Sequence, residues 1–145
     1  MEKIDPTQLS PLVLAYVGDA VYELYVRLLM VMDKPMAKSK SLHKASTSLV
    51  RASSQAETLQ EILPLLTEEE KKQVKRARNC QVNHITRGAT RAEYQASTAF
   101  EALIGFLYLD NQQERLVEIL SSCVSSEVPV EYPQFCSPAP PTDPE

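Results

Sequence analysis

Charged residues are rare between Leu12 and Met32. Only Asp19, Glu23 and Arg27 interrupt the apolar run, and they fall four residues apart. That spacing lines them along one face of a helix, with Ala15 in the same stripe one turn earlier. Apolar residues on the remaining faces predict a central, buried helix. Ser10 followed by Pro11 marks its start as an N-cap and a first-turn proline, and the pattern stops before Lys34-Pro35. Gly18 weakens the helix locally but allows a close approach beside Asp19.

The same reading predicts five shorter helices downstream. One spans Ala37 to Val50, with Leu42, Ala45, Leu49 and Val50 facing inward, and another spans Ser53 to Leu63. Thr67-Glu68-Glu69-Glu70 is a capping box that opens a helix to about Arg78. Its early acids and late Lys75, Arg76 and Arg78 suit the helix dipole. Asn79 to Ala89 has no periodicity and is expected to be a loop. Thr90-Arg91-Ala92-Glu93 is a second capping box, opening a helix that carries Ala96, Ala99, Phe100, Leu103, Ile104 and Leu107 inward and ends at Asp110-Asn111. A last short helix covers Leu116 to Val124. No stretch alternates with a strand period, so the predicted fold class is all-α.

Composition narrows this picture. At 145 residues the chain is one domain long and can bury a core. Residues 1–124 form the expected domain. Residues 125–145 form a proline-rich tail, expected to be mobile and dispensable. The charges within the longest apolar run rule it out as a membrane span, and no basic-then-apolar leader opens the chain. The expected location is cytoplasmic, with no membrane partner. Cys80, Cys123 and Cys136 contain no Cys-x-x-Cys pair, which argues for free thiols over a zinc site or disulfide framework. The net charge of −4 excludes a generally basic nucleic-acid binder. Yet Lys71, Lys72, Lys75, Arg76, Arg78, Arg87 and Arg91 gather in one stretch with His84. Screening confines the remaining field to about 10 Å at ordinary salt, so a local basic patch can still attract phosphates.

Two distant segments carry the candidate chemistry. Leu14-Ala15-Tyr16-Val17-Gly18-Asp19-Ala20-Val21 and Phe100-Glu101-Ala102-Leu103-Ile104-Gly105 each set one acid in an apolar helical run. A buried carboxylate is costly unless paired. Two such acids in one small domain could meet at a shared divalent cation. On the residues alone, the alternative is an acid paired with a lysine or arginine. Nucleophilic hydrolases and nucleotide-binding loops are not indicated, since there is no Gly-x-Ser-x-Gly elbow and no phosphate-binding glycine loop.

Val17-Gly18-Asp19-Ala20-Val21 resembles the signature of the ribonuclease III catalytic domain. Phe100 to Gly105, continued by Phe106-Leu107-Tyr108-Leu109-Asp110, resembles that family's second metal-binding helix. The resemblance covers roughly residues 9 to 123. The chain has room for one catalytic domain and none for a double-stranded-RNA-binding domain, which is the plan of the Mini-ribonuclease III branch. The resemblance implies a metal-dependent endoribonuclease acting on double-stranded RNA, with Asp19 and Glu101 as catalytic metal ligands for Mg²⁺. Magnesium commonly keeps several waters and takes one or two carboxylates, so two acids suffice.

The larger ribonuclease III enzymes carry two further acids, at the positions of Ala15 and Thr98 here. Mini-ribonuclease III proteins resemble this reduced pattern. Glu23 and Thr98 become supporting residues, Glu23 by orienting the site or pairing with Arg27. Lys75, Arg76, Arg78, Asn79, His84, Arg87 and Arg91 become the expected RNA-binding set, and the alternative is a solvated surface run. The family likeness also implies a homodimer, with Tyr16 packed into the partner subunit. Its implied products carry 5′-phosphate and 3′-hydroxyl ends. Its implied substrate is precursor large-subunit (23S) ribosomal RNA, presented by a ribosomal protein. The competing reading is a non-catalytic RNA-binding protein on the same scaffold, motivated by the absent acids.

Overall fold

The computed structural model of the chain describes residues 3–80 and 88–123. Every regular element among them is helical: α1 (Pro11–Asp33), α2 (Ser39–Leu49), α3 (Ala52–Ile62), α4 (Glu68–Arg78), α5 (Arg91–Leu109) and α6 (Gln113–Cys123). Short 3₁₀ turns at Pro6–Gln8 and Leu63–Leu65 precede α1 and follow α3. The starts are written in the sequence. The Ser10 hydroxyl accepts from the Val13 amide, and capping boxes close at Thr67/Glu70 and Thr90/Glu93. Asn111 takes a left-handed φ of 56° just past α5, where the chain reverses into α6.

Helix α5 is the hub of the fold. Helices α1, α3, α4 and α6 all pack on it. From Ser97 to Leu107, Glu101 is the single residue of α5 that is not buried. The α1–α5 crossing is the tightest contact. A Cβ on Gly18 would overlap the carbonyl oxygen of Glu101, and a Cβ on Gly105 would overlap the carbonyl oxygen of Leu14. The two glycines therefore let the helix backbones touch at reciprocal points, and any larger residue would push them apart. Tyr22 and Phe100 lock the same crossing edge to face, with ring centroids 4.9 Å apart. Such a pair adds about 1 kcal/mol beyond its buried area.

Two expectations are corrected. Helix α1 is not buried all round. Leu14, Val21, Tyr22, Tyr25, Val26 and Leu29 face the core, but Leu12, Val13, Tyr16, Val31 and Met32 are exposed. The other helices cover only one side of it. In α2, Ala45 is exposed and Ser46 is buried instead, while Leu42, Leu49 and Val50 are half-buried. Ser46 can turn inward because its hydroxyl donates to the His43 carbonyl, 3.0 Å. The expected proline-rich tail and Cys136 lie outside the described residues. Cys80 and Cys123 are free thiols.

Candidate active site

The glycine crossing decides where the two acids sit. Asp19 directly follows Gly18, and Glu101 provides the carbonyl that Gly18 touches. Both side chains line one half-open cavity of about 720 Å³, walled by α1, α5 and the α2–α3 connection. Asp19 is exposed at the rim, contrary to its expected burial, and Glu101 is half-buried. A rim position follows from α1 having one uncovered side.

Both acids are held above the usual carboxylate range. Burial pushes the Glu101 carboxyl up to about 8, and the charge of Asp19 adds to the rise. Asp19 is raised too, by desolvation first and by Glu23 second. Neither acid has an ion pair among the described residues. Among the described residues, no set of three His, Cys, Asp or Glu side chains is grouped to hold a metal. Two oxygen donors that repel one another and open onto solvent fit a hydrated divalent cation such as Mg²⁺, which needs few protein ligands.

The supporting residues separate. Thr98 is buried and lines the cavity one turn before Glu101. Glu23 is bound to Arg27 through an intrahelical ion pair. Glu23 still acts on Asp19 through its charge.

The described basic residues differ in their surroundings. Lys75, Asn79 and Arg91 are exposed. Arg78 is half-buried in a separate groove with Glu57, Gln60 and Glu93. Arg76 is partly committed to structure, since it donates to the Leu9 carbonyl at 2.6 Å and ties the segment before α1 to α4. His84 and Arg87 lie outside the described residues. Tyr16 is 83% exposed, beside the exposed Leu12 and Val13.

The cavity also contains residues that the sequence pattern did not single out. Arg51, exposed at the N-cap of α3, lines it as well. Gln55, one turn into α3, is buried beside Glu101. Tyr94 also lines it. No local signal marks these residues; only the packing of α3 against α5 brings them here.

Comparison with known proteins matches this geometry to a family. Residues 12–112 match the model of the Ribonuclease III domain. The chain is 43% identical over 122 residues to a Mini-ribonuclease 3 of Symbiobacterium thermophilum, covering 84% of this chain and 93% of that one. It is 47% identical over 116 residues to a Mini-ribonuclease 3 of a Thermoanaerobacter species, covering 80% and 81%. A crystal structure of a Fusobacterium nucleatum protein superposes with a TM-score of 0.71 at 33% identity, covering 79% of this chain and 90% of that one. The all-α fold, the Gly18–Asp19 and Glu101–Gly105 crossing and these similarities lead to one conclusion: the chain belongs to the ribonuclease III domain family, in its Mini-ribonuclease 3 branch.

Proposed function

We propose that this protein is a Mg²⁺-dependent endoribonuclease that cleaves double-stranded RNA, leaving 5′-phosphate ends. The observation that carries the reading is the pair of unneutralised carboxylates, Asp19 and Glu101, facing one open cavity in a chain of this family. Asp19 and Glu101 would hold a divalent cation, whose chemistry when bound would be to activate a water at neutral pH and to offset charge on the leaving oxygen. Thr98 orients the donor set from the turn below. Arg51 and the exposed Lys75, Asn79 and Arg91 position the phosphate backbone outside the chemistry. Arg78, His84 and Arg87 belong to the same proposed RNA-binding set.

A homodimer belongs to the same proposal. Tyr16, Leu12 and Val13 form an exposed apolar patch on the uncovered side of α1, and a second copy would cover it. The cytoplasmic location, the precursor large-subunit ribosomal RNA substrate and presentation by a ribosomal protein rest on the family resemblance alone. The test is direct: purified protein with a perfect RNA duplex, with and without Mg²⁺. Mg²⁺-dependent internal cuts with 5′-phosphate ends are expected, and an intact duplex under both conditions would refute the activity.

A further inference from the structure

Gln55 is 1% exposed, yet neither its amide nitrogen nor its amide oxygen has a hydrogen-bond partner among the described residues. A buried amide with both ends unsatisfied carries the full desolvation penalty of each group, so native proteins rarely tolerate it without a reason. The position itself is apolar by pattern. Gln55, Leu59 and Ile62 are the buried residues of α3, spaced four and three apart on one face. A leucine or methionine would fill it at no polar cost. The amide instead lines the same cavity as Asp19 and Glu101. It lies close enough to Glu101 to favour its carboxylate form, though outside direct hydrogen-bond geometry.

We infer that Gln55 is a positioning residue of the cation site. Its amide nitrogen steadies the Glu101 carboxylate, and its carbonyl oxygen adds a neutral donor to the site, directly or through one water. The chemistry suits the reduced acid set. Asp19 and Glu101 are the two carboxylates among the described residues that line the cavity, and a neutral oxygen completes a donor set without adding to the repulsion between them. The inference rests on the proposed metal site.

The test uses the full chain and Mn²⁺ as the probe, with affinity read by calorimetry or electron paramagnetic resonance and not by cleavage. Gln55→Leu should weaken Mn²⁺ binding about tenfold or more, the usual effect of losing a residue that orients metal ligands. Its melting temperature without metal should stay level or rise, because two unsatisfied polar atoms are removed. Gln55→Met, which keeps the shape of the side chain and removes both polar atoms, should weaken Mn²⁺ binding likewise. A folded Gln55→Leu protein with unchanged Mn²⁺ affinity overturns the inference. If Gln55→Leu does not fold, Gln55→Met decides alone, and unchanged binding there overturns it. Asp19→Asn separates the two levels. If the wild type binds no Mn²⁺, or Asp19→Asn binds it equally well, the metal site itself is wrong. If Asp19→Asn loses binding while Gln55→Leu keeps it, only the role of Gln55 fails.

Discussion

Glu70 and Glu101 are two glutamates set against the same core with opposite electrostatic outcomes. Glu70 is 3% exposed, and its carboxylate receives three hydrogen bonds from Arg115 at 2.7 to 3.0 Å. Arg115 also donates to the Leu65 carbonyl, 2.8 Å, joining α6 to the end of α3 and the start of α4. Burial pushes Glu70 up, but hydrogen bonds from Arg115 and Thr67 and the Arg115 charge outweigh it and hold its carboxyl below the usual range. Glu101 has no such cation among the described residues. Its neighbours are Asp19 and a neutral amide, and it is raised to about 8. The structural carboxylate carries its counter-charge within the fold, whereas the carboxylate at the open cavity has another acid beside it. Burial or charge alone does not tell the two apart; the partner does.

The largest expected effect breaks the comparison at the open site. Asp19→Asn and Glu101→Gln should each reduce duplex cleavage by about three orders of magnitude, equivalent to about 4 kcal/mol of transition-state stabilisation. Both should remain folded. Without metal, Glu101→Gln should melt at or above the wild-type temperature, since it removes a repelled carboxylate. Activity within a few-fold of wild type in either variant would remove the mechanism.

Breaking the closed pair should act on stability instead. Arg115→Met leaves the Glu70 carboxylate buried without its cation, at a cost of roughly 3–5 kcal/mol in urea unfolding. Mn²⁺ affinity of the folded fraction should not change. A normal midpoint, or weakened metal binding with intact stability, would show that the division between the two sites is wrong.

A pH series sharpens the contrast because the signs oppose. The raised Glu101 carboxyl means that the unfolded chain loses this proton first. Its contribution to metal-free stability is therefore full below the unfolded value near 4.5 and lost as pH rises toward about 8. Glu70 is lowered, so its contribution is present above the unfolded value and lost as pH falls through the folded one. Wild type compared with Glu101→Gln should differ on the neutral-to-alkaline side. Wild type compared with Glu70→Gln should differ on the acid side. Matching pH profiles for all three would contradict the assignments.

The smallest expected effect lies on the other side of α1. Tyr16→Ala should weaken self-association about tenfold or more, as the loss of a buried aromatic anchor does at an interface, while leaving Mn²⁺ binding per chain unchanged. Sedimentation showing the same association at low concentration would exclude Tyr16 from the interface.

Much of this fold was legible in the chain because its signals act within a turn of helix. The caps at Ser10, Thr67 and Thr90, the stop at Asp110-Asn111 and the inward stripe of α5 depend on neighbours three or four residues away. The Glu23–Arg27 pair is local in the same way. The two acid-bearing motifs were visible as well, but that they share a cavity depends on Gly18 and Gly105 meeting distant carbonyls. Periodicity tells which residues share a face and says nothing of what covers that face. The exposure of Asp19 and Tyr16, the inward turn of Ser46 in place of Ala45, and the arrival of Arg51 and Gln55 in the cavity that Glu101 lines were therefore decided by the packing of helices far apart in sequence. The sequence by itself determined the helices and named the two acids. Only the tertiary structure decided which carboxylate keeps a cation of its own and which is left open to solvent, because charge pairing across a core is a contact between distant elements.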